Sequence, residues 1–508
     1  MSNLEAFMDD PWNSTTMHGL YLDSLIQIKP APEVVTGEIL LASVYRNVGF
    51  FGEVSENKVP VNGRALEKRL DSTKGNKIDS DETGIDRELW KKIVTKSITS
   101  PKQINQSKKQ FLQLSPLIPD NSIYSMAARL AGNPWNPGKL IAKMLCYACK
   151  SQEDALQIWK DLFQALSVNK ESDDVWARLL QKEFEEWRPS DLKDAWNEPE
   201  SLPFNNTEQF YDIGLNNPSQ TFTKDLKSVI ELKTRLTRRQ WISMLESLLR
   251  IGSSAHIMWM CVLNKKIAGV FETALSENKV WTKEMLVNEL SQKEAFWSLG
   301  QPTSKTIQEF VRDYVIGRCS INLLFWTLQD KHNLDTSKLK LQSVDDIVVL
   351  ASKMNAIAES ETFDRHGYRE NLSSILEADP KITSGKKGTS KNLLEFLSSV
   401  NRQRQTSEAG LESYDQGFYN RKKGNYKTAP WITGLGPASI LTMVHCTVSE
   451  SKGPRTISDL MTQLRKYGLD ANYQQSNNDS FQKMLRSLGL VIDSPDAEGG
   501  MIINSPFV

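Results

Sequence analysis

Apolar side chains recur at helical spacing along most of this chain, and a period of 3.6 is compatible with packed helices and with little else. Leu140, Met144, Leu145 and Ala148 lie on one stripe, and Ala155, Ile158, Trp159, Leu162 and Leu166 continue the i, i+3, i+4 pattern. Val175, Trp176, Leu179, Leu180 and Phe184 make a third stripe, and Asn136-Pro137 marks the start of the first. Thr237-Arg-Arg-Gln240 is an S/T-x-x-Q capping box, so a further helix begins there and runs through Trp241, Leu245, Leu248 and Leu249, past His256 to Leu275. The same pattern predicts helices over 283–290, 305–315, 322–330, 344–358 and 393–400, and one over 34–51 that ends at Gly49. The fold class expected is mainly α, a multi-helical N-terminal and central scaffold of short antiparallel helices without a repeat of fixed period.

At 508 residues the chain has room for about three compact units. The expected organisation is an N-terminal segment (1–54), a polar linker or loop almost free of large apolar residues (55–85), and a helical domain (86–216). A second helical domain (217–380), a basic aromatic connecting segment (381–430) and a distinct C-terminal unit (431–508) complete it. The break before residue 217 is rich in Pro, Asn and Glu.

Lys plus Arg equals Asp plus Glu at 62 each, so no global field steers the chain toward a polyanion, and any such site must be local. The longest apolar runs, such as residues 257–263, fall far short of the ~20 residues of a membrane span, and the N-terminus lacks the layout of a secretory signal. A cytoplasmic protein with no membrane association is expected. Five scattered cysteines describe no disulfide framework and read as reduced thiols. Cys146-Tyr-Ala-Cys149 is the one CxxC, with no second ligand pair to complete a zinc site.

The last 70 or so residues change rhythm. Residues 437–446 read as a helix, and 456–467 as a second with Thr456 as cap, Ile457, Leu460, Met461 and Leu464 on one face, and Gly468 as its end. A third runs over 476–488 with Phe481, Met484, Leu485 and Leu488 inward and Gly489 as the stop. Two short strands with a hairpin loop follow. Three helices and a hairpin resemble a winged helix, the helix-turn-helix variant in which the third helix enters the major groove. The resemblance implies that Asn477, Asn478, Ser480, Gln482, Lys483 and Arg486 face the groove, with Lys and Arg on phosphates and Asn and Gln on base edges. Residues 436–508 carry six basic and seven acidic side chains, a net of 6 − 7 = −1, and the hairpin loop holds Asp493, Asp496 and Glu498. Because phosphate contacts supply most of the affinity for DNA, that balance favours docking on protein.

Residues 381–430 contain ten basic and four acidic side chains, a surplus of 10 − 4 = +6. The clusters are Lys386-Lys387, Arg402 with Arg404, and Arg421-Lys422-Lys423 with Lys427, interleaved with Tyr414, Phe418, Tyr419 and Tyr426. Cations that follow phosphates beside aromatics that stack on bases make a nucleic-acid contact, with a solvated linker as the alternative. Lys233, Arg235, Arg238 and Arg239 form a second cluster at the N-terminus of the Trp241 helix, where positive charge opposes the dipole and fits an acidic partner or anion, with surface charge without function as the favoured alternative.

No phosphate-binding loop, nucleophile elbow or HExxH occurs, so no cofactor and no catalytic residue is assigned. The function expected is a non-enzymatic DNA-binding or scaffold subunit of a larger nucleic-acid-processing assembly, with DNA and other protein subunits as partners. Microbial genome (anti-phage) defence is a setting in which such scaffolds would serve. The alternative is a hydrolase or nuclease of unfamiliar type that uses Asp364, His366 and Glu370, the only dense group of such side chains.

Overall fold

The computed structural model describes residues 2–28, 37–50, 85–98, 116–123, 137–185, 188, 196–204, 211–277, 279–291, 296–360, 363–403, 417–424, 428–450, 453–471, 479–492, 501–505 and 507. The protein is mainly helical. Its longer helices are α1 (Asn3–Asp9), α2 (Gly37–Val48), α3 (Arg87–Ile98), α4 (Pro137–Ala148), α5 (Gln152–Leu166), α6 (Val175–Glu185), α7 (Pro218–Glu231) and α8 (Arg238–Glu277). After them come α9 (Lys283–Ser291), α10 (Ser304–His332), α11 (Val344–Ser360), α12 (Arg365–Ala378), α13 (Gly388–Val400), α14 (Pro437–Ser449), α15 (Ile457–Lys466) and α16 (Asp479–Ser487). The polar stretch at 55–84 lies outside the described residues.

The 40-residue α8 is the axis of the molecule. Residues 242–263 carry only Glu246, Arg250 and His256 as ionisable side chains apart from Cys261, and a helix apolar on nearly every side is stable only when surrounded. Accordingly α2, α7, α10, α11 and α14 all pack against it, and one continuous core runs from Leu4 to Ile503 across the intervals drawn from the sequence. Its start has both arms of the capping box: the Thr237 N–H donates to Gln240 Oε1 at 3.1 Å and the Gln240 N–H to Thr237 Oγ1 at 3.4 Å.

The segment expected as two helices, 305–315 and 322–330, is the single helix α10. Gly317, which a propensity argument makes a weak point, sits where α10 crosses α8, and a Cβ there would meet the backbone carbonyl carbon of Asn264 at 2.5 Å. The helix ends at Asn333 in the left-handed region (φ 51°), whose N–H donates to the Leu328 carbonyl.

In the C-terminal unit the order is α14, β4 (Arg455–Thr456), α15, α16, β6 (Val491–Ile492) and β7 (Ile502–Ile503), with an antiparallel sheet ordered β4-β7-β6. Thr456 caps α15 with Asp459 closing the box, and Gly468 (φ 75°) and Gly489 (φ 68°) end α15 and α16. Two further pairings tie this unit to the body and to the connecting segment. β1 (Trp297–Ser298) pairs in parallel with β5 (Leu469–Asp470), and β2 (Asn420–Lys422) forms an antiparallel hairpin with β3 (Trp431–Thr433).

Candidate nucleic-acid interface

The connecting segment is anchored by a polar stripe on the otherwise apolar α8. Ser247, Arg250 and Ser254 fall at i, i+3 and i+7, on one face. Buried Arg250 donates through Nε to the Val400 carbonyl (2.6 Å) and through Nη2 to the Arg402 carbonyl (2.8 Å). Asn401 donates to Ser254 Oγ (2.6 Å), and Ser247 Oγ bonds the Tyr419 hydroxyl and Ser439 Oγ, each at 3.0 Å. On its far side the hairpin is stitched to the start of α10: the Thr303 N–H donates to the Trp431 carbonyl (3.1 Å) and the Gly300 N–H to the Thr433 carbonyl (2.9 Å).

So held, the hairpin gathers cations about one aromatic ring. Lys422 and Trp431 are cross-strand partners, with Lys422 Nζ 5.9 Å from the indole centroid and the Arg402 guanidinium 4.7 Å from it. Burial holds the Arg402 pKa below its ordinary value. Arg421 and Lys423 are exposed and make no ion pair with any carboxylate among the described residues. Beside the hairpin, two residues into α10, begins an open groove of about 760 Å³. Lys305, Arg312 and Lys386 line it above Ile316 and Leu376, with Glu309 and Glu377 as its acids. Along α10 it extends roughly 16 Å, at about 1.5 Å per residue. Lys305 is 3.9 Å from Glu309, whereas Arg312 and Lys386 have no carboxylate partner among the described residues. Lys387 instead pairs with Asp379 at 2.7 Å.

Two of the four aromatic residues expected to stack on bases are buried instead. Phe418 and Tyr419 are buried, and the Tyr419 hydroxyl is turned toward Ser247 of α8 rather than toward a base. Tyr414, Tyr426, Arg404 and Lys427 lie outside the described residues. Half-buried Trp431, which the reading passed over, supplies the ring; its position one residue after Pro430 and eight after the Arg-Lys-Lys run was the available signal.

The cluster at the start of α8 is divided between the interior and the surface. Arg238 is buried, donating through Nε to the Leu117 carbonyl (2.8 Å) and through Nη1 to the Ser167 carbonyl (3.0 Å), with its second Nη on the Leu166 carbonyl and the Tyr45 hydroxyl. Lys233 joins it on Asp173 (3.3 Å) and Ser167 (2.9 Å). The anion these charges meet is internal: they cap the C-terminus of α5, where the dipole favours cations, although they sit at the wrong end of their own helix. Arg235 donates to the Phe507 carbonyl (2.7 Å), and Arg239 is exposed.

On α16, Lys483 and Arg486 are exposed, and Arg486 Nη2 reaches Met501 Sδ at 3.4 Å. Asn477, Asn478 and the acidic hairpin loop lie outside the described residues. The segment offered above for a hydrolytic site begins α12. Asp364 accepts the Gly367 N–H as its N-cap, and His366 and Glu370 form an exposed i, i+4 pair at 3.2 Å, so the three do not converge in a pocket. Among the described residues no three His, Cys, Asp or Glu side chains are placed to hold a metal, and no helix is long and apolar enough to cross a membrane.

Cys146 is buried, with Sγ 3.5 Å from the Tyr211 hydroxyl, while Cys149 is half-buried with its thiol pushed up by burial. Burial also raises the thiols of Cys261, Cys319 (to about 12) and Cys446. Because the thiolate is the reactive form, a thiol-disulfide reagent is expected to titrate no more than one cysteine, Cys149, in the native protein and all five after unfolding. Rapid labelling of the Cys149→Ser variant would contradict this.

No protein-family model and no curated protein matches this chain.

Proposed function

We propose that the protein is a non-enzymatic, nucleic-acid-binding scaffold subunit whose phosphate-following face is the β2–β3 hairpin and the adjoining α10 groove. The observation that carries this reading is Trp431 with Arg402 and Lys422 within about 6 Å of its ring, beside Arg421 and Lys423, which pair with no carboxylate among the described residues. A stacking ring flanked by cations is how single strands are bound without sequence preference. The C-terminal unit is proposed to be a winged helix: its element order and β4-β7-β6 sheet support this, with Lys483 and Arg486 on the exposed side of the third helix. Protein subunits are proposed to dock elsewhere on the helical body.

Salt titrations of binding to single-stranded and duplex DNA test the reading. Affinity is expected to fall with log salt at a slope of ~0.7 per phosphate contact on single strands and ~0.9 on duplex. The triple variant Arg421→Ala/Lys422→Ala/Lys423→Ala should flatten that slope in proportion to the phosphates it no longer neutralises. Trp431→Ala should weaken single-strand binding by roughly 5- to 150-fold, a stacking loss of about 1–3 kcal/mol, and leave the slope unchanged. Lys483→Ala/Arg486→Ala should reduce sequence preference on duplex if α16 reads the groove. Absence of binding at low salt would sink the proposal and leave protein docking.

A further inference from the structure

The helical body and the C-terminal unit enclose a second concavity, of about 240 Å³. One wall is apolar: Trp259 and Leu263 from α8, Leu290 from α9, and Phe296. Polar groups line it as well: the N-terminal turn of α7, Ser291, and Arg465 from the last turn of α15. We infer that this cavity binds a small organic anion with an apolar body, a carboxylate on an aromatic or branched aliphatic group.

Three side chains with donor hydrogens not used among the described residues line the cavity. Ser291 Oγ is shut off from solvent and has no hydrogen-bond partner there. Gln220 uses Oε1 to accept the Asn217 N–H at 3.3 Å, which leaves its Nε2 uncommitted. Arg465 meets Asp470 through Nε alone (3.2 Å), so both terminal nitrogens remain. The buried Ser291 hydroxyl, without a partner, keeps the penalty of leaving water, and an acceptor placed beside it removes that penalty, while the exposed Gln220 amide and Arg465 guanidinium add charge and donors at the mouth. No acidic side chain lines the cavity among the described residues. The 14-residue α7 also directs the positive end of its dipole there, beginning at Asn217-Pro218. The apolar wall supplies what a carboxylate alone would not need, and pockets of this mixed kind orient an apolar ligand by a few polar contacts. Because the walls come from both parts of the molecule, an occupant favours the docked arrangement of the C-terminal unit by mass action. The inference stands apart from the nucleic-acid reading.

Calorimetric titration and thermal melts of the full chain test it, with phenylacetate as the probe and phenylacetamide as its neutral counterpart. Phenylacetate is expected to bind at one site and raise the melting temperature at millimolar concentration, with the amide at least tenfold weaker. Arg465 is half exposed, so Arg465→Gln leaves the fold intact; it should weaken phenylacetate about tenfold and leave the amide unaffected. Leu263→Trp should fill the space and abolish binding of both. The inference is overturned if neither probe binds, if the amide binds as well as the carboxylate, or if Arg465→Gln binds phenylacetate like the wild type. That last arm decides the matter even where Leu263→Trp fails to fold.

Discussion

Replacing Arg238 by alanine is expected to remove about 3–5 kcal/mol of folding stability, the range for stripping one partner from a buried, hydrogen-bonded charge. The guanidinium serves acceptors from four places in the chain: the Tyr45 hydroxyl on α2, the Leu117 carbonyl, the Leu166 and Ser167 carbonyls that end α5, and Asp173. Alanine withdraws the donor from all of them at once, and Lys233 alone then faces Asp173. Arg238→Lys keeps the charge without the planar fork, so it should recover only part of the loss. Arg239→Ala, one position on and exposed, should change stability by no more than about 0.5 kcal/mol. Urea unfolding midpoints of the three variants check this; a loss below about 1 kcal/mol for Arg238→Ala would mean the α2–α5–α8 junction does not depend on it.

The Asp225→Asn variant is expected to abolish a pH dependence of stability on the order of 4 kcal/mol. Asp225 projects from α7 into the seam with α15, where its Oδ2 accepts from Gln463 Nε2 and the Tyr467 hydroxyl, each at 2.6 Å. Burial raises its carboxyl to about 7 from an ordinary 3.8, against the opposing pull of those two hydrogen bonds and of Lys466. A carboxyl raised on folding binds more protons in the native state, so its contribution is greatest below about pH 4. It is lost as pH rises toward 7, and is flat above. Beside it the Tyr467 hydroxyl and Cys446 thiol are raised well above their ordinary values, and Glu450 is lowered to about 2, bonded by Lys224 and Lys466; His445, which reaches the Ser228 carbonyl of α7 and is lowered by burial, is common to both proteins and cancels from their difference. The stability difference between wild type and Asp225→Asn should therefore move by that amount between about pH 4 and pH 7.5. A constant difference across the range would show that the carboxyl ionises as freely as it does in water.

Helical periodicity and caps made most of the architecture legible. The stripes at 140–148, 155–166 and 175–184 are α4, α5 and α6, and the Thr237 and Thr456 boxes start α8 and α15. The helix at 365–378 escaped notice because a few inward residues, chiefly Tyr368 and Ile375, carry its apolar face within a charged run. Where each cation goes was not legible. A repeat in the chain records which face of a helix is apolar, but it does not record which distant element will bring a carbonyl or carboxylate to a given charge. Arg238 meets Leu166 across 72 residues, and Tyr419 meets Ser247 across 172. The local pattern thus determined which segments coil and where they stop. Only the packing of α5 and α8 turned Lys233 and Arg238 inward, and only the anchoring of residues 400–402 and 419 on α8 left Trp431 and its cations at the surface. Each charge must find its counter-group among atoms that folding alone brings within reach.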